Sequence, residues 1–353
     1  LIGLFLGIRT APLDRSARAR CVIRRSAVRP VGLPAIVSHA GIRPRGGRGI
    51  GASLRTLPEP LPIVNGMSAA ALVRAGLARY WSSSEAALER ALIRRLQRGF
   101  AIRDLLDAGA MPSRDALRAW VVGDDATQLP FAFGMPTAGG DTERWRQQLD
   151  NHLRAVQELR DLVRHTAARD SAWRAAQLRE ICARHEGQMV VAFTTFEATA
   201  SALFGALRSV PGTVLMTSSG ARTAGGAVDR AEIIAKLGIP RAAAHGPARF
   251  DVSIVVATDL LSEGVNLQGA SVVVHLDQPW TPAAVAQRVG RAARLESVHD
   301  SVHEYRFLPS RAAEGLLEMP RYHARKQEAA RDALAAMTAR EQLRQLCSRW
   351  RLA

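Results

Sequence analysis

The chain has 353 residues, of which 47% are hydrophobic and 23% charged, with a formal net charge of +16. Its apolar runs fall short of the roughly 20 residues that a bilayer-spanning helix needs, which argues against a membrane protein. Because Lys236 and Lys326 are the only lysines, arginine carries nearly all the positive charge. That composition fits a polyanionic partner such as nucleic acid as well as it fits a genome-wide codon bias.

The amino-terminal half contains two predicted regions. Residues 1–66 are rich in Arg, Gly and Pro without sustained periodicity, which predicts an irregular linker or a remnant of a partner domain. The start at Leu1 suggests that the sequence begins partway through a longer protein. Residues 67–186 have apolar residues at three- and four-residue intervals, which predicts helices up to about residue 124 and a long helix over 142–185.

The pattern changes after residue 186. Short apolar runs at 189–193, 213–216, 252–257 and 272–276 alternate with helical segments at 196–208, 227–237 and 282–295. This alternation predicts an α/β domain over residues 187–310, with a parallel sheet covered by helices on both faces. Residues 311–353 return to an Arg- and Ala-rich pattern that predicts a helical extension.

Ligands collect at the carboxyl ends of the strands in such sheets, and two of the segments that follow strands stand out. They are residues 257–268 (ATDLLSEGVNLQ) and 287–294 (QRVGRAAR). On a helix, Gln287, Arg291 and Arg294 lie at i, i+4 and i+7 and share one face, while Gly290 leaves room for a partner.

These two segments resemble motifs V and VI of superfamily 2 helicases. Three further segments agree in order with that family. Residues 190–195 resemble motif IV, residues 217–220 followed by 230–234 resemble the next signature, and residues 275–280 resemble the passage into motif VI. The resemblance implies a second, RecA-like motor lobe. Its cofactor would be ATP, held together with Mg²⁺ by an amino-terminal lobe of the same polypeptide.

The resemblance also assigns roles to residues. Arg291 and Arg294 would be arginine fingers, which stabilise charge on the transferred phosphoryl group and are worth roughly 10³ to 10⁵ in rate. Arg288, about 100° around the helix from Gln287, is expected to brace the fold. The candidate nucleotide-binding residues are Gly264, Asn266 and Gln287. The candidate nucleic-acid-binding residues are Thr194, Thr195, Ser218, Thr258 and Ser262.

Some of these assignments have structural alternatives. Each Thr or Ser is equally suited to a turn or a helix cap. Asp259 fits a helix N-cap as well as a motor role. For the arginines of residues 287–294, the alternative is a solvated basic face.

The branch of the family and its substrate follow from finer features. The Gly264–Gln268 segment, and a motif VI that opens with Gln287, resemble Swi/Snf-type duplex translocases and related bacterial DNA helicases. The expected function is therefore the C-terminal motor lobe of an ATP-dependent DNA helicase or translocase. The alternative is a non-catalytic nucleic-acid-binding or regulatory module.

Other chemistry finds little support in the sequence. Neither lysine follows a glycine, so a Walker A loop is absent from these residues, and we expect this chain alone to be inactive on ATP. The nine histidines lack HExxH spacing, so we predict no metal site, and His303 is expected at the surface or in a loop. Three widely spaced cysteines exclude a disulfide framework and favour a cytoplasmic location.

Overall fold

The structure is a computed structural model that describes residues 33–61, 69–122, 142–238, 252–259, 265–279, 282–294, 297 and 299–317. The secondary-structure elements of these residues are, in chain order, β1 (Ala35–Ser38), α1 (Arg48–Arg55), α2 (Ala69–Ser83), α3 (Glu85–Asp107), α4 (Arg114–Val122), α5 (Thr142–Arg184), β2 (Met189–Thr194), α6 (Glu197–Leu207), β3 (Thr213–Thr217), β4 (Gly220–Thr223), β5 (Gly226–Val228), α7 (Arg230–Leu237), β6 (Ile254–Thr258), β7 (Ala270–His275), α8 (Pro282–Ala292), β8 (Ser301–Arg306) and α9 (Arg311–Leu317). Among these helices, none combines the length and the apolar character that crossing a bilayer requires.

The strands of the described residues form one sheet in the order β1-β8-β7-β2-β6-β3-β4-β5. Within this order, the neighbouring strands of the stretch β1-β8-β7-β2-β6-β3 are all parallel. Strands β3, β4 and β5 pair antiparallel, so the sheet is mixed at one edge. The predicted α/β fold is confirmed: it is RecA-like, with a mostly parallel sheet.

Helices cover both faces of the central strands, as predicted. Successive side chains of a strand point to opposite faces, so each central strand contributes to two cores. On one face Val190 packs in a cluster with Leu203 of α6. On the other face Val191 packs in a cluster with Val289 of α8. This double burial explains why the strand sequences are continuously apolar rather than alternating.

A third hydrophobic core lies among helices α1 to α5 and α9. The predicted helices of residues 69–122 and 142–184 are confirmed there, and Ser84 caps α3 by accepting a hydrogen bond from the Ala87 N–H at 3.0 Å. Helix α5 joins this core to the sheet, because Leu149 lies in the helical core and Leu178 in a core of the sheet. The boundary at residue 186 stays a prediction.

The amino-terminal segment is less irregular than the prediction for residues 1–66. Its described part contains β1, which pairs in parallel with β8, and α1, which contributes Leu54 to the helical core. The Arg- and Gly-rich composition conceals both elements, because β1 has four residues and all of them are exposed. Residues 1–32 lie outside the described residues, as does the predicted helical extension beyond Leu317.

The helix predicted for residues 227–237 begins later, at Arg230. The preceding residues form the β4–β5 hairpin, in which Gly220 and Gly226 have positive φ angles of 127° and 124°. Asp229 then caps α7 by accepting a hydrogen bond from the Ala231 N–H at 3.0 Å. Strand β5 therefore occupies the residues that were predicted to form the first turn of the helix.

A buried Arg–His pair holds the helical core together. The Arg95 Nε–H donates to His152 Nε2 at 2.9 Å, so the other ring nitrogen, Nδ1, carries the proton and donates to the Pro58 carbonyl at 2.7 Å. A second Arg95 nitrogen donates to the Trp120 carbonyl at 2.7 Å. Burial, reinforced by the neighbouring guanidinium of Arg95, lowers the pKa of His152 to about 3.

We expect the stability of the protein to depend on pH through His152. In the unfolded chain this imidazole takes up a proton below its ordinary pKa of 6.5, whereas in the folded protein it stays neutral down to about 3. Its contribution is therefore present above pH 6.5 and is lost as the pH falls, by at most about 1.4 kcal/mol per pH unit. Urea unfolding of wild type and His152→Gln between pH 7 and pH 5 measures this.

The variant should show a shallower pH dependence than wild type. His165→Gln is the matched control, because His165 is exposed on the same helix, α5. Identical pH slopes for wild type and His152→Gln would contradict the assignment.

Candidate functional site

Three neighbouring parallel strands end side by side at the carboxyl edge of the sheet. In the strand register, Thr194 of β2 lies opposite Thr258 of β6, and Phe193 lies opposite His275 of β7. Asp277 follows β7 by two residues and Asp259 directly follows β6. The topology thus gathers hydroxyl and carboxyl groups at the edge where ligands of parallel α/β sheets bind.

Asp277 is the buried centre of this edge, with 3% of its side chain exposed. One of its oxygens accepts hydrogen bonds from Ser83 Oγ at 2.8 Å, from Thr194 Oγ1 at 2.6 Å and from the Thr195 N–H at 2.9 Å. The other accepts from Thr195 Oγ1 at 3.2 Å. The carboxylate thereby ties the ends of β2 and β7 to Ser83, at the end of α2.

Arg288 lies in the interior beside this carboxylate and is completely buried. Its Nε–H donates to Asp259 Oδ1 at 2.7 Å, its Nη2 also contacts Asp259, and Nη2 lies 3.9 Å from Asp277 Oδ1. Its guanidinium lies 5.5 Å from the centre of the Phe193 ring. The prediction that Arg288 braces the fold is confirmed, since it anchors α8 to β6 and to the segment after β7.

Asp259 owes its position to this ion pair. Burial raises the pKa of its carboxyl, and the charge of Arg288 opposes that rise. Asp259 thus pairs with an arginine of another element, Arg288 of α8. Residues 260–264, where a capped helix would begin, lie outside the described residues.

Of the predicted fingers, Arg291 lies on the same helix as this anchor and Arg294 lies just after that helix; both are outside the interior. Arg291 is on α8 and half-buried, Gln287 is exposed, and Gly290 faces open space, since a Cβ added to it would meet no atom within 4 Å. Helix α8 ends at Ala292, so the helical spacing that relates Gln287 to Arg291 does not extend to Arg294. Arg294, also half-buried, is positioned by the turn after α8, where its carbonyl accepts from the Ser297 N–H at 2.9 Å.

The predicted nucleic-acid contacts separate into two groups. Thr194 is buried and its hydroxyl donates to Asp277, so it helps to position this edge of the sheet. Thr195 and Thr258 are half-buried at the ends of β2 and β6, and Ser218 is exposed just after β3. Ser262 lies outside the described residues.

The predicted nucleotide-binding residues are described only in part. Asn266 is half-buried, its amide nitrogen donates to Gln268 Oε1 at 2.8 Å, and its Oδ1 accepts from the Gln268 N–H at 3.1 Å. Its side chain is thus held in a local turn beside Gly238. Gly264 lies outside the described residues.

The sequence did not assign roles to Asp277 and Ser83, although both help to build the site. A carboxylate placed directly after a buried strand is a usable signal for Asp277, because such positions lie at the ligand edge. Ser83 offered no comparable signal, because it comes from a helix distant in sequence.

Comparisons with known proteins agree with this geometry. Residues 173–296 match the family described as the helicase conserved C-terminal domain. An uncharacterized ATP-dependent helicase of Bacillus subtilis (strain 168), YqhH, is 39% identical over 57 residues. That match covers 16% of this chain and only 10% of the relative.

Solved helicase structures share a weaker similarity. The C-terminal part of the Fun30 ATPase domain is 14% identical with a TM-score of 0.40, covering 82% of this chain and 90% of that one. The helicase MrfA bound to DNA and AMPPNP is 17% identical with a TM-score of 0.30, covering 43% of this chain and 20% of that one. The family match, the sequence motifs and the sheet topology agree that residues 173–296 are similar to the C-terminal, RecA-like lobe of superfamily 2 helicases.

Proposed function

We propose that this chain is the C-terminal motor lobe of an ATP-dependent DNA helicase or translocase of the Swi/Snf type or a bacterial relative. Arg291 and Arg294 act as arginine fingers on ATP and Mg²⁺ held by an amino-terminal lobe of the same polypeptide. The observation that carries this proposal is the contrast along α8 between buried Arg288 and partly exposed Arg291.

The anchor at Arg288 gives Arg291 a defined position. Three residues along a helix correspond to a rotation of about 60° from the starting direction, so Arg291 lies at the margin of the face that Arg288 buries. A guanidinium at such a margin keeps part of its side chain packed while its charged end can reach a partner. The space above Gly290 allows another lobe to approach the helix closely.

The remaining nucleotide contacts follow from the same edge. Gln287 is exposed on α8, and Asn266 is half-buried in the loop before β7. We assign both, with Gly264, to the ATP that the joined lobes enclose. Binding energy from such contacts positions the triphosphate, while the arginines stabilise the charge that develops during hydrolysis.

The nucleic-acid contacts are assigned to Ser218, Thr258 and Ser262, and to Thr195, which is less buried than Thr194 although its hydroxyl also donates to Asp277. Strands β2, β6 and β3 are adjacent in the sheet, so their ends place the hydroxyls of Thr195, Thr258 and Ser218 along a line of about 10 Å. Hydroxyl groups bind phosphate oxygens without reading bases, which suits a protein that moves along a strand.

Binding to DNA provides the test of this interface. We expect the chain to bind two duplexes of unrelated sequence with similar affinity, and the logarithm of the binding constant to fall linearly with the logarithm of salt concentration. Fluorescence anisotropy at several salt concentrations measures both. The double variant Ser218→Ala, Thr258→Val should bind about tenfold more weakly.

The matched control is Ser253→Ala. Ser253 precedes β6 and Thr258 ends it, so the two hydroxyls lie at opposite edges of the sheet. Equal affinity of the double variant and the control would contradict the assigned interface. Tighter binding of an RNA duplex than of the DNA duplexes would contradict the choice of DNA.

A further inference from the structure

Three histidines from distant parts of the chain meet beside β1 and β8, at one edge of the sheet. His39 follows β1, His185 follows α5, and His303 lies within β8. One ring nitrogen from each lies within 4.8 Å of those of the other two. The sequence spacing predicted no metal site and placed His303 at the surface or in a loop, whereas His303 lies in β8. The strand pairing explains how the three histidines meet. Because Val37 of β1 lies opposite His303, His39 is delivered to the same place.

The cluster is close to the geometry that a metal ion requires. His39 Nε2 lies 3.1 Å from His303 Nδ1, and the rings of His185 and His303 have centroids 4.3 Å apart. In a tetrahedral zinc site with Zn–N bonds of about 2.05 Å, ligand nitrogens are about 3.3 Å apart. The His39–His303 pair thus already has the separation of one edge of such a tetrahedron, and a small inward rotation of His185 completes three positions.

Neighbouring groups hold two of these rings in orientations suited to binding. Ser301 Oγ lies 3.4 Å from His303 Nε2, which leaves Nδ1 directed at His39. The Tyr305 hydroxyl lies 2.9 Å from His185 Nε2, and its ring stacks on His39 at 4.0 Å. Partners of this kind orient metal-binding histidines in known sites.

We propose that His39, His185 and His303 together bind one divalent transition-metal ion of the zinc class. Three imidazoles are a ligand set for zinc, cobalt, nickel or copper and unsuited to magnesium or calcium, which prefer oxygen ligands. A fourth position stays open to water. The site is distinct from the carboxyl edge around Asp277.

The metal would stabilise the position of β1 in the sheet. Among the described residues this strand pairs only with β8, and all four of its residues are exposed. An ion shared by His39, His185 and His303 ties the end of β1 both to β8 and to the end of α5. Metal binding to the folded state alone then stabilises the protein.

Calorimetric titration of the whole chain with ZnCl₂ tests the proposal. The protein should carry no histidine tag and should first be dialysed against a chelator. We expect one equivalent of Zn²⁺ to bind saturably and to raise Tm. His39→Gln and His303→Gln should each weaken binding by about 100-fold or more, since loss of an outer-shell partner alone costs roughly 10- to 100-fold. His165→Gln, an exposed histidine on α5, should bind as wild type does.

A second variant keeps the test decisive if a glutamine variant fails to fold. His39→Cys retains a zinc ligand, so Co²⁺ bound to it should show a thiolate-to-metal absorption band that wild type lacks. Absence of saturable Zn²⁺ binding to wild type would overturn the proposal. Unchanged binding in both glutamine variants, or a Co²⁺ spectrum that His39→Cys does not alter, would also overturn it.

Discussion

Replacing Arg291 or Arg294 by alanine should lower ATP turnover by roughly 10³- to 10⁵-fold while changing nucleotide affinity little. The reason is that a finger acts on charge that is present only in the transition state. Turnover and affinity should be measured in a protein that joins this lobe to an amino-terminal lobe with a phosphate-binding loop. Because Arg291 and Arg294 are both partly exposed, substitution should leave the fold intact.

Two comparisons sharpen this prediction. Arg208→Ala removes an exposed arginine just after α6 and should leave turnover unchanged. Arg291→Lys should recover only part of the rate, because an ammonium group lacks the planar fork of a guanidinium. If Arg291→Ala weakens nucleotide affinity as much as it lowers turnover, Arg291 is a binding residue and not a finger.

The largest effect on stability is expected at Arg288, four residues before the end of α8. Arg288→Met keeps much of the side-chain volume but removes the charge that compensates Asp259 and Asp277. Breaking a buried ion pair from one side costs about 3 to 5 kcal/mol in the free energy of unfolding. We expect a smaller loss here, about 2 to 3 kcal/mol, because the Asp259 side chain is 43% exposed and Asp277 keeps its four hydrogen bonds. Urea denaturation with m-value analysis measures the change.

Arg291→Met on the same helix is the control, since Arg291 is half-buried and its replacement should cost about 1 kcal/mol or less. Adding Asp259→Asn to Arg288→Met should recover part of the loss, because it removes one of the uncompensated charges. A fully stable Arg288→Met protein would show that the ion pair does not hold α8 in place.

The central fold could be predicted because its strands carry strong local signals. Runs such as residues 189–193 and 252–257 are apolar enough to require burial on both faces, and the helices between them have recognisable periodicity. Strand β8 was missed because Ser301–Arg306 includes His303, Glu304 and Arg306, whose polar side chains mask a strand. Those charges are tolerated since Glu304 pairs with Arg306 at 2.7 Å and accepts from Ser38 at 2.9 Å.

The candidate site was predictable only where its residues lie close in sequence. Spacing along one helix was enough to separate Arg288 from Arg291. It could not show that the hydroxyl of Thr194 is taken by Asp277, because that contact joins the ends of two strands. The end of α8 at Ala292 was equally hidden, as residues 293 and 294 continue the helical pattern. The histidine cluster depends on the β1–β8 pairing and had no signature in the sequence.

The most direct test is a structure of the joined lobes with ADP, Mg²⁺ and a fluoride analogue of the transferred phosphoryl group. We predict guanidinium nitrogens of Arg291 and Arg294 at about 3 Å from the fluoride atoms. A closed complex in which neither arginine reaches the analogue would contradict the account.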